Sequence, residues 1–153
     1  MRFLLVDRIV RMEPGISIEA EKTLPASEEL FHDHFPGFPV VPGVLLTEMM
    51  AQAAGKCLNA QRLPRGAAML VEIRNAKFRG WVRPDETIRL HAKVDRDQPA
   101  FAVVSTHAEV GGRKMCSAEL MFAFKPIAEF APDYRDEVLE SFLAQTSQTG
   151  GST

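Results

Sequence analysis

The chain has 153 residues, 46% of them hydrophobic and 25% charged, which suits one soluble globular domain with a real core. Its 18 Lys and Arg against 20 Asp and Glu leave a net charge of −2, too balanced for a nucleic-acid binder, so any electrostatic partner site must be local. The longest apolar runs, such as Val40 to Leu46, fall far short of the roughly 20 residues of a membrane span, and Met1-Arg2-Phe3 opens into ordered-looking sequence without signal-peptide character.

Val6 to Met12 reads as a strand, Pro14-Gly15 as a turn, and Ile16 to Leu24 as a second strand in which Ile16, Ile18 and Ala20 alternate with Ser17, Glu19 and Glu21. These predict a hairpin. His34 to Gly43 holds three prolines and two glycines in ten residues, which predicts a stiff loop. Val44 to about Leu63 is rich in helix formers and broken only by Gly55, so one long helix follows. After Pro64-Arg65-Gly66 come four β-like stretches: Ala68 to Phe78, Thr87 to Val94, Phe101 to Val110 and Lys114 to Phe124. Gly111-Gly112 is a two-residue hairpin signal, because both residues can take positive φ. Whether Phe101 and Val103 or Ala102 and Val104 face inward stays open, since a one-residue slip exchanges them.

Pro132 to Ala144 predicts a short terminal helix, and the polar residues 145–153 a disordered tail. A single domain over residues 1–144 is therefore expected. Cys57 and Cys116 lie in apolar surroundings at no metal-ligand spacing and are expected to be packed, reduced thiols, as in the cytoplasm. Two strands, an apolar helix and four more strands form an α+β pattern whose economical packing is a curved antiparallel sheet wrapped around the helix.

The helix carries one anomaly. From Val44 to Cys57 it is apolar on nearly every face, yet it holds Glu48. A carboxylate taken out of water must pair, become neutral or do chemistry; otherwise it stands on an exposed edge or bridges to an arginine. Gln52, four residues on, shares its face and can orient it, while Ala51 and Gly55 leave room beside it. Pro42-Gly43 sets free amides of Gly43 and Val44 at the positive end of the helix dipole, where a thioester oxygen gaining negative charge would be held; a plain helix-starting turn looks the same. His34 heads the loop as a candidate base. His32-Asp33-His34 lacks a further ligand set of recognisable spacing, so no metal is expected.

His34-Phe35-Pro36-Gly37, Pro39, Pro42-Gly43-Val44-Leu45, Glu48 and Ala51-Gln52 together resemble the signature of the Z-type (3R)-3-hydroxyacyl-acyl carrier protein dehydratases of fatty acid synthesis. The flanks agree: Leu4-Leu5-Val6-Asp7-Arg8 resembles the opening strand of that family, and Ala76-Lys77-Phe78-Arg79 with Val82 and Pro84 its segment after the helix. The resemblance implies a hotdog fold, no cofactor, and a homodimer, often assembled as a trimer of dimers, in which His34 of one subunit meets Glu48 of the other. It further implies that His34 abstracts the α-proton, Glu48 protonates the departing 3-hydroxyl, the Gly43 amide binds the thioester oxygen and Gln52 orients Glu48. Glu rather than Asp on the helix favours simple dehydration over the related type that also isomerises the double bond.

Departures from the family pattern are Asp33 where Gly is usual, Met49 where Ala is common, Pro84-Asp85-Glu86 for Pro-Gly-Asp, and no helix ahead of the opening strand. Arg74, Lys77, Arg79 and Arg83, with Phe78 and Trp81 interleaved, form a local basic stretch that would receive an acidic acyl carrier protein or would simply be a solvated strand edge. Competing readings are an acyl thioesterase on the same fold and a non-catalytic acyl or carrier-protein binding module.

Overall fold

The protein is described by a computed structural model, over residues 1–62, 66–130 and 132–149. In chain order it contains β1 (Arg8–Glu13), β2 (Ser17–Thr23), α1 (Leu30–Asp33), α2 (Gly43–Arg62), β3 (Ala67–Phe78), β4 (Thr87–Asp97), β5 (Phe101–Val110), β6 (Arg113–Lys125), α3 (Ile127–Phe130) and α4 (Glu137–Thr149). All six strands join one antiparallel sheet in the order β1-β2-β4-β5-β6-β3. The strand that follows α2 thus becomes the far edge.

One face of the sheet wraps α2. Ile18, Ala20, Ile88, Leu90, Ala102, Val104, Cys116, Leu120 and Phe122 are buried against Leu46, Met49, Met50, Ala53, Ala54, Cys57 and Leu58 of the helix in a single core. Each large side chain so covered contributes roughly 1.5–3 kcal/mol, which is why a 20-residue helix with polar atoms at so few positions stays inside. Burial pushes the thiols of Cys57 and Cys116 up to about 11. Both are free, as packed thiols should be.

The open question on β5 resolves toward Ala102 and Val104, which are fully buried in the core cluster. The pairing starts at Gly111 and Gly112, at φ 58° and 78°, whose two-residue loop pairs Val110 with Arg113; an irregularity between Ala108 and Glu109 then shifts the register so that Ala102 faces Phe122 and Val104 faces Leu120 on the core side. The first turn has a second anchor, since the Gly15 amide donates to the carbonyl of Cys57 on α2 at 2.9 Å.

Three features differ from the sequence reading. The ladder of β1 starts at Arg8 rather than Val6, because Leu5 and Val6 turn into the core. α1 and α3 are single turns too short for a periodic signal. The terminal helix starts later and runs longer: Asp136 caps it through the Leu139 amide at 3.0 Å, and residues 145–149, expected to be disordered, continue it to Thr149. Residues 150–153 of that tail lie outside the described residues, as do Leu63 at the expected helix end and Pro64-Arg65 of the break that follows it. Among the described residues no helix is long and apolar enough to cross a membrane.

Candidate functional site

His34 follows the single turn of α1, to which its amide donates at Leu30. The loop then folds back on itself. Val40 donates to the His34 carbonyl at 3.0 Å, Phe35 and Phe38 exchange backbone bonds at 3.0 and 2.9 Å, and Val41 is tied to the Val82 carbonyl at 2.8 Å. Inside that frame His34 Nδ1 lies 3.0 Å from the Val40 carbonyl oxygen. A carbonyl can only accept, so Nδ1 carries the hydrogen and the lone pair sits on Nε2. Phe35 stacks on the imidazole at 4.1 Å, which further restricts ring rotation. His34 is half-buried, while His32 and Asp33 are exposed.

The same loop delivers the start of α2. The amides of Gly43 and Val44 find no acceptor among the described residues, and the helix dipole adds to their partial positive charge. Gly43 lets the helix start pass close to Phe78: a Cβ there would stand 2.9 Å from that ring, which would have to shift. Val44 beside it is 76% exposed, so the amide pair opens onto the surface.

One turn further on, Gln52 Nε2 donates to Glu48 Oε1 at 3.1 Å and to the Phe3 carbonyl at 3.3 Å, while Gln52 Oε1 accepts from the Leu5 amide at 2.9 Å. The amide is saturated by the chain's N-terminal segment and holds the carboxylate in one place. Glu48 is half-buried and makes no ion pair among the described residues, so the arginine-bridged alternative does not describe it. It borders a groove of about 600 Å³ that runs along α2 past Ala51 and Gly55 to Lys56, with Leu70 and Phe122 on the sheet side. A Cβ on Gly55 would touch nothing within 4 Å, so this is real space. His34 is not part of that lining.

The family model described as a FabA-like domain matches residues 1–119. The chain belongs to the FabA-like family. Among curated relatives, the 3-hydroxyacyl-[acyl-carrier-protein] dehydratase FabZ of Pediococcus pentosaceus is 43% identical over 120 residues, covering 78% of this chain and 80% of that protein. The protein of the same name from Chloroflexus aggregans is 42% identical over 124 residues, covering 79% and 85%. Among solved structures, the dehydratase heterocomplex ApeI:P from Xenorhabdus doucetiae superposes with a TM-score of 0.65 at 13% identity, covering 93% of this chain and 90% of that one. A hypothetical thioesterase with coenzyme A from Streptococcus pneumoniae gives 0.60 at 12%, covering 77% and 87%. These likenesses carry the fold alone, and the fold is the hotdog.

Within this FabA-like chain the basic stretch divides. Arg74 is committed to Glu72 at 2.6 Å and approaches Glu119 at 3.8 Å. Lys77 and Arg79 line a groove on the outer face of the sheet. Arg83 stands over the Phe38 ring at 4.8 Å, and Phe38 meets Trp81 edge-on at 5.5 Å, so Arg83 and Trp81 belong to the His34 loop. Lys77, Arg79 and Arg83 have no ion-pair partner among the described residues.

Asp85, in the position where the family usually has Gly, takes φ 67°. Aspartate tolerates this left-handed conformation, and its carboxylate accepts from the Ala26 amide at 3.0 Å. Sequence reasoning missed Phe3 and Leu5, which secure Gln52, and the buried pair of Lys56 and Asp136 at 2.7 Å, which closes the groove. Partners 47 to 80 positions apart leave no local signal.

Proposed function

We propose that this chain removes water from (3R)-3-hydroxyacyl groups carried on acyl carrier protein, giving trans-2-enoyl thioesters in the cytoplasm, at sites each built from two copies of the chain. The relatives' printed activity supports the reaction. The residues supply the parts. His34 Nε2 takes the proton from C2, the electron pair forms the C2–C3 double bond, and the C3–O bond breaks as Glu48 protonates the leaving hydroxyl to water. The Gly43 and Val44 amides hold the thioester oxygen as it gains charge.

The observation that carries this reading is the hydrogen bond from His34 Nδ1 to Val40, which leaves Nε2 as a fixed proton acceptor. The dimer is supported by the edge strand β3. Met69, Val71 and Ile73 along it, with Phe78 and the neighbouring Trp81, are 45–71% exposed. A long apolar sheet edge of this kind needs a covering partner. A second copy paired there would bring a foreign His34 loop toward the Glu48 groove. The docking surface for the acidic carrier is then Lys77, Arg79 and Arg83, with Arg74 held back by its two glutamates.

The test follows the 2-enoyl product by absorbance and thiol release in parallel, on the same carrier-bound substrate. His34→Ala and Glu48→Gln should each cut enoyl formation by roughly 10²–10⁴. Thiol release without enoyl product would make the chain a thioesterase, and normal turnover in His34→Ala would remove the assignment. Arg79→Glu with Arg83→Glu should raise KM for the carrier-bound substrate far more than for a short thioester mimic; equal losses on both would discard the docking surface.

A further inference from the structure

The outer face of the sheet, turned away from α2, carries a cluster that the dehydration chemistry does not use. His91 on β4 and His107 on β5 are directly opposite in the antiparallel register, and their rings stack at 4.4 Å with planes 10° apart. Glu109 lies two residues beyond His107 and so on the same face. Its Oε1 accepts from His91 Nε2 at 2.8 Å. One ligand atom from each of the three comes within 4.8 Å of the others, and all three side chains are half-buried.

We propose that His91, His107 and Glu109 form a divalent transition-metal site, of the borderline class that zinc and nickel represent. Two imidazoles and one carboxylate suit such ions and do not suit the all-oxygen preference of magnesium or calcium. In a tetrahedral zinc site with bonds of about 2.0–2.2 Å, neighbouring ligand atoms stand about 3.3 Å apart. By distance each ligand atom needs to move by roughly 1 Å, and because an imidazole ligates in its own plane the two rings, now 10° from parallel, must also turn about their side-chain bonds so that their lone pairs converge.

The present arrangement favours that exchange. His107 makes no hydrogen bond among the described residues, so its ring nitrogens are unspent. Burial, then its neighbours His91 and Lys114, holds His107 below the ordinary histidine value, which keeps it neutral and able to ligate. Arg89, which could compete for Glu109 across the strand pair, is occupied by Glu19 and Glu21. When the metal binds, the ion takes the place of the Nε2 hydrogen between His91 and Glu109: a neutral His91 ring keeps that hydrogen by moving it to Nδ1, and a doubly protonated ring releases one proton to solvent. The fourth position faces a groove of about 910 Å³ bordered by Lys93, Ser105 and Ser117, open to water or a small anion.

The experiment titrates chelator-treated full-length protein with zinc chloride by calorimetry and repeats the titration on His91→Ala, His107→Ala, His107→Gln and Glu109→Gln, with His32→Ala as control. Unchanged melting temperatures in the presence of chelator establish that each variant is folded. One zinc ion per chain is expected, with affinity about tenfold or more weaker in every variant of the cluster and unaltered in His32→Ala. Absence of one-to-one uptake by the wild type, affinity unchanged in both His107 variants, or loss that follows His32→Ala would each overturn the site.

Discussion

Two inactive variants should repair each other. If each site takes His34 from one copy and Glu48 from the other, a heterodimer of His34→Ala with Glu48→Gln holds one site with both defects and one with neither. A two-fold dimer has two equivalent sites, so random reassociation of an equal mixture makes half of the dimers mixed and restores about one quarter of wild-type turnover. The structure motivates the arithmetic: His34 is absent from the groove that Glu48 borders, while β3 lines that groove at Ala68, Met69 and Leu70 and reaches Gly43 at its far end through Phe78. The variants are mixed under conditions that dissociate the dimer, returned to assay buffer, and followed by enoyl absorbance against each variant treated alone. A mixture that stays as inactive as its components would place both residues of a site in one chain and refute the shared-site argument.

Gly55→Leu fills open space on the groove wall, so the melting temperature should hold within a few degrees while kcat/KM falls for long acyl chains and not for the four-carbon substrate. Lys56→Met strips the cation from Asp136, whose carboxylate is 7% exposed, and should cost about 3–5 kcal/mol in urea unfolding; adding Asp136→Asn should recover much of it, because an amide still caps α4. His107 titrates below its ordinary 6.5 in the folded chain, so the unfolded chain takes up this proton first and stability present above pH 6.5 is lost as the pH falls through the folded value. His107→Gln should flatten that decline in melting temperature, measured in chelator so that metal plays no part.

The family signature was legible because it is local. The loop from His34 and the first turns of α2 are contiguous, and a Pro-Gly junction, an apolar helix and one carboxylate at a fixed offset constrain each other within about 20 positions. The strands were legible to within a few residues for the same reason: alternation and the Gly111-Gly112 turn are short-range signals. What escaped is the second layer of support. Gln52 is a plausible partner for Glu48 by spacing alone, yet the atoms that hold Gln52 come from Phe3 and Leu5, 47 and more positions away.

The basic stretch shows the opposite failure, where nearness in sequence suggested nearness in function. Arg74 and Arg83 are nine positions apart, but the irregular register between Arg74 and Lys77, with Asn75 at φ 53°, and the end of β3 at Phe78 send them to different neighbours. A β-strand alternates its faces, and a bulge resets the alternation, so a run of like charges along an edge strand is not a patch until its register is known. The His91–His107 pair is the converse: 16 positions apart and unremarkable in the sequence, the two imidazoles become neighbours only because β4 and β5 pair with that register. Surface chemistry on a sheet is written across the strands. A linear motif reveals it only where the chain reads along one loop or one helix, as it does from His34 to Glu48.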